Sequence, residues 1–479
     1  MFSKRGWSSF LILIPLIYVF VSSLYPATDF DLGWHLKYGE YFFNNGVILR
    51  ENVFSSALPQ YKWVNISWGI DLVEYLIFSR FGFIGLSLLA ASAITLAILL
   101  VIRTSHAGLW ELLILLPFFV WVNKSLFQTS FRGHVLSTLY FSLLLYILNL
   151  FSSNPRLALY ILPALFVVWA NTNGSFILGL LLTGIWLGSS FFTKATHRRY
   201  LASGLLLAIL FTPIHPFGLG IFKESLRHAH NSDLAKIAEW SSPLVNRNGS
   251  GPIAWQIALY LACLALIITR RHTFQLQIFI LSLTLSVLSW AAMRYITPLT
   301  IISFPLLVYL LKSIRPPSHM LVSVLLVSIF TLLILMRIIQ FSQQNNFYSM
   351  NWNLYCSVYN SCSPAGAEFI IAHSLNKPDL LTAYEFGGWL IWNYPQIKPY
   401  IDGRMHIWSQ NDFSPFAYYY SVSESGEQDI NDSQFNTVFI SKDTHLYFEL
   451  ERRSKTGSWK KIFEDATTAI FVRKFVSHY

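Results

Sequence analysis

Long apolar runs recur through the first 341 residues of this chain, separated by short polar joints, and that recurrence constrains the fold more than anything else in the sequence. A run of ~20 mostly apolar residues crosses the hydrocarbon of a bilayer. On that rule about eleven spans are expected, over residues 7–24, 83–102, 109–122, 135–151, 157–170, 176–192, 201–221, 254–268, 274–291, 296–311 and 320–339. Composition agrees: 54% of the 479 residues are hydrophobic and 12% are charged. A water-soluble domain carries about a quarter charged residues, which excludes a soluble enzyme or a disordered chain.

The net charge of +10 does not point to nucleic acid, because Lys and Arg stand singly at the ends of apolar runs rather than in a basic stripe. Their placement reads as topology. Arg103, Arg156, Lys194, Arg198, Arg199, Arg270, Arg271, Lys312 and Arg315 fall in alternate joints, while Asp29, Asp31, Glu40, Glu51, Glu224, Asp233 and Glu239 fall in the others. Short cytoplasmic joints retain Lys and Arg, so the expected amino terminus is cytoplasmic and the crossing number odd. Lys4 and Arg5 precede the first run, and the poor cleavage site around Ser22 to Ala27 favours an uncleaved span over a signal peptide.

Two outer segments exceed a turn. The first, residues 25–80, holds an amphipathic stretch (35–43) and a second apolar-periodic stretch (66–81) interrupted by Asp71 and Glu74. Carboxylates make a full crossing costly there, so the second stretch is expected along the interface. The other, residues 223–252, is polar and ends near Glu239 and Trp240.

Past residue 341 the composition becomes that of a soluble domain. The expected organisation is therefore a membrane domain over 1–341 and an extracytoplasmic α/β domain over 342–479. Strands are expected at 380–384, 398–401, 437–440 and 469–472, with helical stretches at 386–392 and 444–452. Cys356 and Cys362 either close a small disulfide loop or remain separate thiols, and Cys263 reads as a packing residue inside a span. Three cysteines without histidine partners at the required spacing make a thiolate metal site a poor reading.

The run Thr28 to Leu36 concentrates Asp29, Asp31 and His35 just beyond the first span. Two alternating carboxylates can hold a divalent cation, Mg2+ or Mn2+, or one can accept a proton from a hydroxyl. The plainer alternative has Asp31 capping a helix and Asp29 solvated. Arg132 and Arg294 lie at outer span ends, where a guanidinium can snorkel to headgroups or grip a phosphate. Asn171, Asn173 and His215 either line a watery cavity or satisfy backbone freed by turns and prolines. Glu239 and Trp240 pair a carboxylate with a sugar-stacking indole, or anchor the interface. In the terminal domain Glu385, Gly387 and Gly388, and then Asp402, Gly403 and Arg404, follow expected strands; tight turns explain them as well as carbohydrate recognition does.

Taken together, the blocks Asp31 to Leu36, Phe131-Arg132, Trp169-Ala170-Asn171, Glu239-Trp240, Arg294, Gly387-Gly388-Trp389 and Asp402-Gly403-Arg404 resemble the GT-C superfamily of multispanning glycosyltransferases. The likeness is nearest to an uncharacterised bacterial branch of the protein mannosyltransferase and lipid A aminoarabinose transferase type, and it covers nearly the whole chain. It implies an inner-membrane transferase of the cell envelope that moves a sugar from a polyprenyl-phosphate carrier to a glycan, lipid or protein acceptor. It also implies a key acid in the first outer loop, matching Asp31 or Asp29. Relatives of this branch often carry His where this chain has Asn173, and a second Trp where it has Gly33. Two rival readings are a flippase or transporter of polyprenyl-linked glycans, expected to show repeats and midplane polar groups, and a non-catalytic envelope-assembly protein.

Overall fold

The computed structural model describes residues 11–26, 29–128, 131–151, 153–192, 198–244, 250–268, 276–314, 317–343, 350–359, 362–408 and 413–474. It is mostly helical, with one small sheet. Two compact units divide it: Met1–Pro26, Ile84–Ser225 and Leu234–Phe347 form the first, and Ala27–Phe83, Leu226–Asp233 and Tyr348–Tyr479 the second.

In the first unit helices occupy the expected apolar runs. Among the described residues, Trp68–Ser105, Gly133–Leu150, Met293–Leu311 and His319–Phe341 have the length and apolar composition to cross a membrane. Leu13–Ser23, Leu109–Val122, Pro155–Ala170, Phe176–Phe192, Pro252–Leu266 and Leu276–Ala291 are apolar but shorter. The run expected over 201–221 is divided. Its helix ends at Phe211, and a separate helix, Gly220–Ala229, follows. Pro213 and Pro216 lack the amide hydrogens a helix needs and disfavour helical backbone in the residue before them.

Where apolar helices pack against each other, hydrophobicity gives little preference for one register, and buried polar pairs supply it. Trp255 Nε1 donates to Ser303 Oγ at 2.9 Å, Gln256 Nε2 to Ser289 Oγ at 2.7 Å, and Asn123 Nδ2 to Thr300 Oγ1 at 3.1 Å. The first two bonds each join two helices, and the third ties the C-cap of helix Leu109–Val122 to helix Ile296–Leu311.

The second unit combines residues of the first outer segment with the terminal domain. Helix Leu32–Asn45 buries Leu32, Trp34, Leu36 and Tyr38 and stops at Gly46, whose φ of 68° suits glycine. Helix Trp68–Ser105 bends at Gly82 (φ 59°, ψ −152°), so its Asp71- and Glu74-bearing start is a distinct segment from the apolar remainder.

The sheet has four strands, β1 (Leu380–Thr382), β2 (Thr437–Ser441), β3 (Trp459–Glu464) and β4 (Thr468–Arg473), in the order β1-β2-β4-β3. β1 and β2 are parallel, the remaining pairs antiparallel. Val438, Phe439, Ile440, Ile470 and Phe471 are buried, which identifies β2 and β4 as the core strands. Helices Pro364–Ala372 and His445–Thr456 start on hydroxyl caps: Ser363 Oγ accepts from the Gly366 amide and Thr444 Oγ1 from that of Tyr447.

Two strand expectations are corrected. Residues 398–401 form no strand; the carbonyls of Pro399 and Tyr400 accept the amides of Ser56 and Ala57 at 2.8 and 3.0 Å, so this segment binds a loop instead of the sheet. β3 was not expected because Lys460, Lys461 and Glu464 mask its alternation, as charges often do on an edge strand. Cys356 and Cys362 are joined as a disulfide, and Cys263 is buried as a thiol.

Candidate functional site

The residues singled out from the sequence divide between the two units. Asp29, Asp31, His35, Glu385, Asp402 and Arg404 lie in the second; Arg132, Asn171, Asn173, His215, Glu239, Trp240 and Arg294 lie in the first.

Asp29 is buried, and its Oδ1 accepts the Asp31 amide at 3.0 Å, which closes a tight turn. Tyr355 Oη donates to the Asp29 carbonyl at 3.0 Å, tying that turn to the terminal domain. Asp31 occupies the N-cap position of helix Leu32–Asn45, yet its side chain makes no capping hydrogen bond. The simple capping role therefore fails. The Asp31 carboxylate lies against Gly403 so closely that a β-carbon there would overlap it. Added β-carbons at Gly33 and Gly388 would likewise strike the Gly388 and Phe30 carbonyl oxygens. Backbone thus meets backbone where the acidic turn meets Gly387–Asn393, and glycine is the residue that permits it.

Beside this turn, Asp402 and Arg404 form an ion pair with no solvent exposure. Asp402 Oδ1 accepts the Arg404 amide and Nε at 3.0 and 2.8 Å, and Oδ2 accepts Nη2 at 2.6 Å and the Ser55 hydroxyl. Arg404 Nη2 also donates to Asn52 Oδ1 at 2.8 Å, and its guanidinium lies 5.0 Å from the Trp63 ring centre. The pair fixes the loop around residues 52–57, so its role in this structure is architectural.

His35 sits one helical turn beyond Asp31. Its Nδ1 donates to Asp71 Oδ1 at 2.6 Å and lies 3.9 Å from Glu74 Oε2. Burial would lower its pKa, but Glu74, Asp71 and the hydrogen bond to Asp71 outweigh that and raise it to about 9. Asp71 Oδ2 accepts Asn65 Nδ2 at 2.5 Å; Asn65 Oδ1 is in turn held by the Ser67 amide and hydroxyl, each at 3.0 Å. Asp71, Glu74 and Asn65 were not among the residues picked out for chemistry. The i,i+3 spacing of the two acids on one helix face was the available signal.

Two further residues join this neighbourhood without a sequence signal. Arg227 donates to Tyr61 Oη at 2.9 Å and to the His406 carbonyl at 2.7 Å. The His406 ring packs 5.3 Å from Trp63, and burial, with help from His228, Arg404 and Arg227, holds its pKa well below the usual value. Burial also raises the Glu385 carboxyl against a backbone hydrogen bond, and Glu424 and Asp443 add to the effect.

In the first unit, Arg294 stacks on Trp240 with its guanidinium carbon 3.8 Å from the ring centre. This brings together two residues taken separately from the sequence, whereas the adjoining Glu239 is exposed. Asn173 is fully engaged: its Nδ2 donates to the Gly133 carbonyl at 2.8 Å, next to Arg132, and its Oδ1 accepts Ser137 Oγ and the Ser175 amide, both at 2.9 Å. Asn171 Nδ2 donates to the carbonyls of Val167 and Ile214 at 2.8 Å, and His215 Nδ1 accepts the Phe217 amide at 3.2 Å. The amides and imidazole here satisfy turn backbone.

No protein-family model matches the chain, and no curated protein does. Among solved structures, ArnT from Cupriavidus metallidurans in the apo state aligns at a TM-score of 0.51 and 16% identity over 98% of both chains. The crystal structure of ArnT from the same organism bound to undecaprenyl phosphate aligns at a TM-score of 0.47 and 14% identity, again over 98% of each chain. Along nearly its whole length the chain therefore has the fold of ArnT.

Proposed function

We propose that this protein is a membrane glycosyltransferase that moves a sugar from a polyprenyl-phosphate carrier to an extracytoplasmic acceptor. The observation that carries the reading is the Asp29 to Asp31 turn, an acidic turn beyond the first apolar helix that is clamped by Tyr355 and Gly403 of the terminal domain. A merely solvated acid needs no such clamp. The fold shared with ArnT supports the same reading.

In this mechanism Asp31 takes the proton from the acceptor hydroxyl as that oxygen attacks the anomeric carbon. The bond to the carrier phosphate breaks, and attack opposite the leaving group inverts the anomeric centre. Negative charge grows on the departing phosphate, and the roles assigned to Arg132 and Arg294 are to stabilise it. The Arg294 guanidinium carbon lies 3.8 Å from the centre of the Trp240 ring, and a guanidinium is the planar fork of donors that phosphate oxygens accept from. A bridging cation on Asp29 and Asp31 is not needed for these steps.

The proposed location is the bacterial cytoplasmic membrane, amino terminus inside and terminal domain outside. The alternation of basic and acidic joints supports it, as does a disulfide of the kind that persists in oxidising compartments. The test uses the full chain in nanodiscs with radiolabelled polyprenyl-phosphate sugars and envelope lipid or glycan acceptors. Turnover by the native chain, reduced about 10²- to 10⁴-fold by Asp31→Asn, is expected from loss of a general base. Unchanged turnover in that variant would remove Asp31 as base.

A further inference from the structure

Helix His319–Gln343 has one permanently charged side chain, Arg337, set among apolar residues that face outward: Leu332, Leu335, Met336 and Ile339 are each more than half exposed. In a membrane span such residues face lipid chains, and a guanidinium in that setting needs a partner. We infer that Arg337, with Tyr25 beside it, binds the phosphate of an anionic phospholipid where helices Leu13–Ser23 and His319–Gln343 meet. The inference does not rest on the transferase reading, and every residue it uses lies in the first unit.

A guanidinium has five N–H donors and no acceptor. The chain engages two of them: Nη1 donates to Gln340 Oε1 at 2.7 Å and Nη2 to the Leu24 carbonyl at 3.4 Å, while Nε is buried and makes no hydrogen bond. Both acceptors are neutral. Among the described residues no carboxylate pairs with Arg337, so balancing its charge falls to a group outside the chain.

The surroundings say what that group is. Arg337 lies six residues before Gln343, about 9 Å along the helix axis. An arginine that seeks only water extends past the helix end, whereas this one is half-buried and bonded to the carbonyl of Leu24, the C-cap of helix Leu13–Ser23. On a lipid-facing surface the anions within reach are headgroup phosphates, and the planar fork of arginine matches their oxygens.

The place is built in advance of its ligand. The Tyr25 and Phe341 rings lie 5.9 and 5.8 Å from the guanidinium carbon, within cation–π range. Ser87 Oγ donates to the Tyr25 carbonyl at 2.5 Å and holds that residue, whose phenol brings a further donor. Tyr18 packs on Phe330 at 5.2 Å and joins the same two helices. Phosphatidylglycerol bears its diester charge with no ammonium to compete, so it suits a cation without a counter-ion better than phosphatidylethanolamine does.

The test takes the full chain in detergent, without any sugar donor, and measures lipid retention by native mass spectrometry. Phosphatidylglycerol should be held more tightly than diacylglycerol of the same chains, which lacks the phosphate, and inorganic phosphate should not displace it. Arg337→Gln should weaken retention about tenfold or more and Tyr25→Phe roughly 2- to 10-fold. Arg337→Lys, which keeps the charge but not the fork, should fall between native and Arg337→Gln, and Arg103→Gln should change nothing. Photolysis of a phosphatidylglycerol with a diazirine in its headgroup, which needs no variant to fold, should label residues 13–26 or 319–343 of the native chain. Equal retention of diacylglycerol, displacement by inorganic phosphate, label confined to other segments, or retention unmoved in both Arg337 variants would overturn the inference. Polyprenyl phosphate weakened by Arg337→Gln while phosphatidylglycerol is unmoved would also overturn it and give Arg337 to the carrier instead.

Discussion

Replacing Arg404 with Met should loosen the second unit by leaving the buried Asp402 carboxylate without its cation. In the native chain that carboxylate accepts three hydrogen bonds from Arg404 and one from Ser55, with no solvent to replace them. Arg404→Met keeps the backbone bond but removes both side-chain bonds. The carboxylate is left buried with the Ser55 hydroxyl and one amide. Removing one partner of a buried pair costs about 3–5 kcal/mol, mostly from the charge left uncompensated. Methionine fills much of the space beside Phe54, Trp63 and Trp408, so packing loss adds little. With roughly 2–4 °C of midpoint per kcal/mol for a unit of this class, thermal unfolding should fall by roughly 6–20 °C. Tryptophan fluorescence reads this in detergent or nanodiscs, and hydrogen exchange supplies a local check. The amides of Ser56 and Ala57, bonded to the Pro399 and Tyr400 carbonyls, should exchange faster. Pairing Arg404→Met with Asp402→Leu should recover part of the loss, because no orphaned charge remains. An Arg404→Met midpoint within about 1 °C of native, with unchanged exchange at both amides, would refute this account.

Other expectations concern neighbouring features. Gly403→Ala and Gly388→Ala should each cost about 1–3 kcal/mol because their β-carbons meet the Asp31 carboxylate and the Phe30 carbonyl, whereas Gly184→Ala, which has open space, should be neutral or slightly stabilising in the same melts. His406 is held neutral in the fold, so its contribution is complete above its unfolded pKa of about 6.5. Below that it is lost as the pH falls toward the depressed folded value, at up to about 1.4 kcal/mol per pH unit. His406→Gln should flatten this acid-side slope in melts between pH 7 and 5, and an unaltered slope would show that another group drives it. Reducing the Cys356–Cys362 disulfide, which links residues six apart, should cost roughly 2 kcal/mol by loop-closure entropy; equal melting with and without reductant would contradict that figure.

Periodicity along the chain was enough to place most apolar helices and two core strands, while the choice between a Cys356–Cys362 bridge and two separate thiols stayed open until the fold joined them. Helix and strand placement depends on local composition: an apolar run must be buried in protein or lipid, and an alternating run must have one face inside. Local reasoning failed where local signals conflicted. At 398–401 an apolar-looking run pairs with a loop, and in β3 charges conceal a strand.

Partner choice was decided by tertiary structure. The sequence marked Asp402 and Arg404 as turn residues, but not their bonds to Asn52 and Ser55 some 350 positions earlier. It marked His35 as a candidate and Asp71 and Glu74 as an obstacle to crossing, without indicating that the three meet. It offered Trp240 for sugars and Arg294 for phosphate, and the fold stacks one on the other. A pattern along one dimension reports which face of an element avoids water. Which distant group satisfies a buried charge depends on how the elements pack, and that energy is absent until the chain has closed its loops.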